Sequence, residues 1–446
     1  MRISRPLAAA VLALAAGQAP AATVDVTSTT MLQLGQQTRG GANPFDPELV
    51  TVAPAFEILS ISARDVSSWN RGLDDVSLFV STWGSYELSD RRWDTGTTSN
   101  LNGDVVTGYA QLHLLGRHLT LRAGREMVKT GVSRMIQIDG GEAILLLPGG
   151  FHVQAYAGSP VTQRFASRDV IRSWNPVGGD LAYGGRLSWA YGLAGYPGRG
   201  IEIGASANMV VDGGSPVRQE VGADLRFQPY RDLTFTGLAA YSVYDERPSE
   251  LLARVSYSVT RALRLDADAQ YTAPDLFLAR NSILSVFSAE DRSDFGGALS
   301  YELGHGLGVG AGYHLVTEPG EEEGSKDFLG SEAAAHVEWE RGGALAGAEL
   351  EYLDGLENGY TALRLFGRKE LGRYFATADL MGHLFKHSVN GVDYAVTGTL
   401  SAGMELAKGF SAVISGNAGV TPFLEQTYSV MAKLVYNQTY RMREVR

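Results

Sequence analysis

Residues 392–420 read VDYAVTGTLSAGMELAKGFSAVISGNAGV. From Tyr394 the even positions are Tyr394, Val396, Gly398, Leu400, Ala402, Met404 and Leu406, and the odd ones are Asp393, Ala395, Thr397, Thr399, Ser401, Gly403 and Glu405. One face is apolar or small and the other polar, the period of two that an extended strand presents. After Ala407-Lys408-Gly409 the pattern resumes, with Phe410, Ala412, Ile414, Gly416 and Ala418 on one side and Ser411, Val413, Ser415 and Asn417 on the other. Two strands therefore meet through a tight turn. A soluble sandwich would set bulky Val, Ile and Leu inward and charges on its solvent face. Here the apolar face is rich in Ala and Gly, and the polar face carries hydroxyls with scattered charges of both signs, which suits a water-filled lumen. The stretch predicts an all-β fold, a transmembrane antiparallel up-and-down β-barrel.

The same alternation recurs along the chain. Leu263, Leu265, Ala267, Ala269 and Tyr271 alternate with Arg264, Asp266, Asp268 and Gln270. Ile201, Ile203, Ala205, Ala207 and Met209 alternate with Glu202, Gly204, Ser206 and Asn208, and Val221, Ala223, Leu225 and Phe227 with Gly222, Asp224, Arg226 and Gln228. Ala344, Ala346, Ala348, Leu350 and Tyr352 alternate with Gly347, Glu349 and Glu351. A basic residue on the lipid face near the midplane costs about 2–4 kcal/mol, so these charges are assigned to the lumen, together with Arg254, Arg364, Asp379, Glu405 and Lys433. With Glu338, Glu340, Asp393 and Arg368 added, acid leads base modestly over 201–440, and an open pore is expected to prefer cations weakly.

Composition agrees with an exported barrel. The chain has 446 residues, 54 glycines, 20 tyrosines, no cysteine and a formal net charge of -11. Residues 1–22 read as a secretory signal: Arg2 and Arg5 give a basic start, Leu7 to Ala16 is an apolar run too short to span a bilayer as a helix, and Ala19-Pro20-Ala21 offers a cleavage site. Removing the two arginines takes the charge from -11 to -13, a balance that argues against nucleic acid. With no cysteine there is no disulfide scaffold, no thiol catalysis and no lipid-anchored residue, so the mature chain is expected to hold to the membrane by its fold.

Short connections fall at 116–118, 148–150, 197–200, 229–231, 260–261, 304–306, 341–342, 367–372 and 407–409. Mostly longer ones fall at 37–50, 90–101, 127–140, 159–179, 212–217, 245–248, 273–293, 318–330, 354–358, 387–391 and 419–426. The short set is expected to face the periplasm and the long set the outside, in a barrel of about 18 to 22 strands over 23–440 with both termini periplasmic. Some early segments, such as Glu142 to Leu147, read as short strands. The final strand, Thr427 to Tyr440, places Tyr428, Val430, Ala432, Leu434 and Tyr436 outward. It resembles the aromatic-bearing last strand by which Gram-negative outer-membrane, porin-like barrels are recognised for assembly. A short basic tail, 441–446, follows it. That resemblance implies an outer-membrane location, contact with lipid and lipopolysaccharide, and the barrel assembly machinery as a partner.

Candidate chemistry concentrates between Leu121 and Gly141, where Arg122, Arg125, Glu126, Lys129, Arg134 and Asp139 close one strand and enter the next connection. Opposed arginines and acids inside a barrel form a constriction that filters polar solutes; the alternative is an external loop whose charges meet water or lipopolysaccharide. The run from Gly124-Arg125 through Gly131, Arg134 and Asp139-Gly140 to Ala155-Tyr156-Ala157-Gly158-Ser159-Pro160-Val161 also looks like a pattern in large barrels of myxobacteria and related bacteria. Some of those are similar to the outer-membrane partners of polysaccharide export machines. The resemblance implies a polysaccharide leaving the cell, handed over by a periplasmic export protein.

Catalysis finds no support. His387-Ser388-Val389-Asn390-Gly391 is similar to the His-x-Ser-Asn-Gly string of outer-membrane phospholipases, yet adjacent His and Ser point to opposite strand faces, and Asn390-Gly391 reads as a type I′ hairpin turn. The eight histidines are scattered, and Glu318, Glu321, Glu322, Glu323 and Asp327 lack the spacing of a calcium loop, so neither metal nor cofactor is expected. Gly304-His305-Gly306-Leu307-Gly308 lies within a hairpin and is no nucleotide fingerprint. The expected function is an outer-membrane channel for hydrophilic solutes such as sugars. The alternative is a plugged barrel acting as adhesin, anchor or assembly platform.

Overall fold

The structure, a computed structural model, describes residues 23–39, 48–64, 73–89, 101–132, 135–161, 180–192, 200–212, 214–273, 291–319, 326–355, 358–422 and 424–441. Both the expected signal, 1–22, and residues 442–446 of the tail lie outside them. The strands are β1 (Thr23–Arg39), β2 (Glu48–Val52), β3 (Pro54–Arg64), β4 (Leu73–Glu87), β5 (Leu101–Leu114), β6 (Leu119–Val128), β7 (Ile136–Leu147), β8 (Phe151–Pro160), β9 (Leu181–Tyr191), β10 (Gly200–Asp212), β11 (Ser215–Tyr230) and β12 (Leu233–Ser242). They continue as β13 (Arg247–Ser258), β14 (Leu263–Thr272), β15 (Arg292–Gly304), β16 (Leu307–Pro319), β17 (Lys326–Arg341), β18 (Ala344–Gly355), β19 (Tyr360–Leu371), β20 (Tyr374–Val389), β21 (Val392–Ala407), β22 (Phe410–Thr421) and β23 (Leu424–Arg441).

Sequential strands pair antiparallel, and the sheet closes where β1 meets β23, with Thr23 opposite Arg441 and Gly35 opposite Ser429. β2 and β3 are one crossing. Their register against β1 keeps a single phase from Arg39 opposite Glu48 to Thr23 opposite Arg64, broken only around Ala53 and Pro54. Pro54 has no N–H for the ladder, and the Ala53 amide donates instead to the Glu87 carboxylate at 2.8 Å. The 23 segments thus make 22 crossings of a closed all-β barrel. Closure leaves no unpaired sheet edge, which is what a spanning sheet needs where lipid cannot hydrogen-bond it.

The two faces follow the alternation. Leu400 is 69 % exposed, Ile414 58 % and Leu380 48 %, all on the outer face, while the charged and hydroxyl side chains stand opposite them. An apolar belt of this kind is the surface a bilayer covers.

The rims differ in their connections. Turns as short as 342–343, 372–373 and 408–409 occupy one rim; at the other, the described residues stop at Ser89, Val161 and Ala273 and resume at Leu101, Asp180 and Asp291. Several connections expected to be long are tight: β10 passes to β11 between Asp212 and Ser215, and β22 to β23 between Thr421 and Leu424. Between β20 and β21 the turn is Asn390-Gly391, with φ of 51° and 78°, the left-handed pair a type I′ turn requires. Gly367 lies inside β19, whose turn is Gly372-Arg373.

The largest correction concerns 127–140. β6 runs to Val128 and β7 starts at Ile136, so Asp139, Gly140 and Gly141 belong to a strand, and Glu142 to Leu147 is only its second half. Glycine read as a turn signal here serves close approach instead. Gly124, Gly140 and Gly158 lie opposite one another across β6, β7 and β8. A Cβ on Gly124, whose φ is +135°, would fall 2.2 Å from the Gly108 carbonyl oxygen, and one on Gly140 would fall 2.2 Å from that of Ala157. Only glycine fits where the neighbouring backbones approach so closely.

Candidate functional site

Alternation puts alternate side chains of β6 to β11 into the lumen, and there they form a connected polar layer. Arg122 on β6 donates from Nη1 to Glu142 on β7 at 2.8 Å and from Nε to Gln111 on β5 at 2.8 Å. Gln154 on β8 donates to Glu142 at 2.7 Å and to the Lys129 carbonyl at 3.2 Å. Glu126 is 1 % exposed, and among the described residues neither of its carboxylate oxygens has a hydrogen-bond partner. Next to this layer Val128, Ile138, Tyr156 and Ala182 pack as a small buried cluster.

Residues 129–132 turn inward rather than outward. Thr130 donates from Oγ1 to Asn208 Oδ1 at 2.6 Å, and the Val132 amide donates to Ser206 Oγ at 3.2 Å. Ser206 and Asn208 belong to β10, so the segment crosses the lumen side of β7, β8 and β9 to reach them. Gly131 has a φ of +54°, and a Cβ there would fall 2.7 Å from Ser206 Oγ and 3.0 Å from Asp224 Oδ2. Glycine is required by both its backbone and its neighbours.

Beyond this crossing stands a group the sequence reading missed. Arg186 on β9 donates from Nη2 to Glu202 at 2.8 Å and from Nε to Asp224 at 3.0 Å, with Ser188 accepting from Nη1 at 3.0 Å. Glu202 and Asp224 were legible as alternating charges, but Arg186 follows a Gly-Gly pair that hides the period, and its partners come from the next two strands.

The six residues grouped as a constriction divide. The register sets Arg122 against Glu142 and Arg125 against Asp139, so the two arginines take different partners. Arg125 makes a two-point bond to Asp139, 2.7 Å at each oxygen, and also reaches Asp104 at 3.2 Å. Glu126 stays with Arg122. The Lys129 side chain is exposed, and Arg134 lies outside the described residues.

The other assigned side chains spread around the inner wall. Arg254 stands opposite Asp268, and Asp266 accepts from Arg264 at 2.9 Å. Arg364 donates to Asp379 at 2.6 Å and Glu349 at 3.2 Å, and Glu351 accepts from Tyr360 at 2.6 Å. Arg226 and Glu405 are exposed, and Lys433 is half-buried between Val413 and Met31 in the ladder. Among the described residues no three His, Asp or Glu side chains converge as a metal site would.

No family model matches the chain, and no curated protein is similar to it. Its solved likenesses include OccAB4 of Acinetobacter baumannii, 7% identical over 94% of this chain and 98% of that chain, with a TM-score of 0.44. The outer membrane protein OpdK of Pseudomonas aeruginosa is 10% identical over 94% of this chain and 99% of its own, with a TM-score of 0.45. A BenF-like porin from Pseudomonas fluorescens Pf-5 is 10% identical over 94% and 99%, with a TM-score of 0.44. No residue of the site is carried across such likenesses.

Proposed function

We propose that this protein is an outer-membrane channel for hydrophilic solutes in a Gram-negative bacterium, inserted by the barrel assembly machinery, with both termini periplasmic and the outer rim meeting lipopolysaccharide. The observation that carries the proposal is the inner wall of β20 to β23. None of Asp379, Thr399, Ser401, Ser415, Asn417 or Lys433 is buried, so water reaches these side chains, and the covered inner positions are Ala395 and, on the neighbouring β19, Ala362, which flank His383 in the ladder. A closed barrel of 22 crossings is wide enough for an aqueous lumen, whereas about eight strands would fill their own interior. The inward segment 129–132 narrows that lumen from one side, beside ion-paired arginines, which supports filtering of polar solutes. A plugged adhesin or platform gains no support from this wall, and Gly124, Gly140 and Gly158 have a structural reason in the close approach of neighbouring backbones.

Single-channel recording in planar bilayers tests the reading: stable ohmic steps with a weak cation preference are expected, and a silent, correctly folded barrel would overturn it. A deletion strain separates the cargoes. Reduced uptake of small solutes with normal surface polysaccharide supports the general channel, whereas lost polysaccharide with unchanged uptake would restore the export reading.

A further inference from the structure

We infer that the inner face of β19 and β20 is a stacking track for a linear oligosaccharide or longer glycan chain, an inference that rests on the channel reading and names its solute class. Tyr360 and Phe385 lie opposite each other at one end of the strand pair, and His383 joins them, edge-on to Tyr360 at 5.4 Å and stacked on Phe385 at 6.2 Å. Phe366 stands midway and Phe375 at the far end, next to the turn Gly372-Arg373. At about 3.3 Å per residue, the ten residues from Phe385 to Phe375 cover roughly 33 Å of strand, so rings mark the lumen from one rim to the other.

The rings lie along the wall instead of projecting from it. A Cβ on Gly347 would fall 2.3 Å from Phe366 Cζ, and one on Gly403 would fall 2.3 Å from Phe375 Cζ. Each ring thus occupies the place that the facing glycine leaves empty, which keeps the lumen wide and turns a flat surface toward it. Arg364 stands over Phe366 at 5.0 Å and Arg368 over Phe375 at 5.7 Å. All five rings are half-buried, so each keeps surface for a solute.

This chemistry suits sugars. The C–H face of a pyranose stacks on a ring, and its hydroxyls bond the adjacent carboxylates and guanidinium groups. A planar aromatic acid would also meet the rings, but Glu349, Glu351 and Asp379 repel it, and Arg364 already spends its charge on two of them. Spaced contacts of modest strength hold a chain loosely enough to let it pass.

The test is current interruption by maltohexaose in single channels of the full-length protein. Transient, concentration-dependent interruptions are expected. The triple variant Tyr360→Ala, Phe366→Ala, Phe375→Ala should weaken them about tenfold or more, since each ring contact contributes a factor of roughly two to ten. Phe79→Ala, on β4, should change nothing. Normal conductance with unchanged interruptions in the triple variant would overturn the track alone. So would sodium benzoate interrupting the current as well as maltohexaose, or Phe79→Ala matching the triple variant. Absence of conductance in the wild-type protein would overturn the channel reading and the track with it.

Discussion

The wall formed by β6 to β11 and the wall formed by β19 to β23 are built from the same alternation, yet their inner faces differ. In the first, Glu142, Ser206, Asn208 and Glu220 are buried, and a chain segment lies across the sheet. In the second, rings lie flat on glycines, and Thr399, Ser415 and Asn417 line the lumen uncovered. Alternation decides which side chains face inward. What they then meet, a third layer or water, depends on the neighbouring strands and on where one connection turns.

The sharpest way to break this comparison is to add a side chain to each wall. Gly124→Val places a branched side chain at a φ of +135° with its Cβ 2.2 Å from a backbone oxygen, whereas Gly416→Val meets nothing within 4 Å. The first should cost on the order of 3 kcal/mol or more and abolish the heat-modifiable band on gels, and the second should fold like the parent. Equal folding would show that the backbones of the β6–β8 wall leave room for a side chain at 124.

Next in size is the loss of an arginine from each wall. The Arg186, Glu202 and Asp224 side chains are 17, 27 and 21 % exposed, against 42, 45 and 35 % for Arg364, Glu349 and Asp379. Arg186→Ala leaves two acids without their cation and should lower stability in urea unfolding from lipid by about 1–3 kcal/mol. Arg364→Ala, where water screens the charges, should cost less than about 1 kcal/mol. A reversed order would show that the crowded wall is as wet as the bare one.

A third measurement divides the β6 arginines by function. Arg122→Ala should shift the reversal potential toward cations, because the charge of Glu142 is then no longer offset by its partner on β6. Arg125→Ala should leave selectivity in place and lower stability instead. A larger selectivity shift from Arg125→Ala would mean that Arg125, not Arg122, sets the charge of the lumen there.

The smallest effect concerns the inward segment. Asn208→Leu removes the acceptor of Thr130 and of Tyr156, worth about 1 kcal/mol per bond, and should raise conductance less than twofold with added noise. Asn417→Leu, which breaks only a bond to Thr399 on the bare wall, should leave conductance unchanged. Identical traces from both variants would detach 129–132 from the control of flux.

The all-β barrel class, the two faces and the Asn390-Gly391 turn were legible because each depends on residues one to four positions apart. The boundaries around 127–140 were not, since the residues that hold Asp139 to Gly141 in a strand come from β6 and β8. Arg186 and the ring-on-glycine pairs were hidden for a related reason: each needs a partner from another strand, at a register that alternation alone leaves open.

Period-two alternation by itself determined that the chain forms strands with an apolar and a polar face, because side-chain direction in a strand is a local property of the backbone. Only the tertiary structure decided that β1 closes on β23, where Thr439 bonds Asp25 across the whole length of the chain. It also decided that 129–132 folds into the lumen and that Arg122 and Arg125 take different partners. Closure, register and the path of a connection follow from how all the strands fit around one ring, which no local pattern encodes.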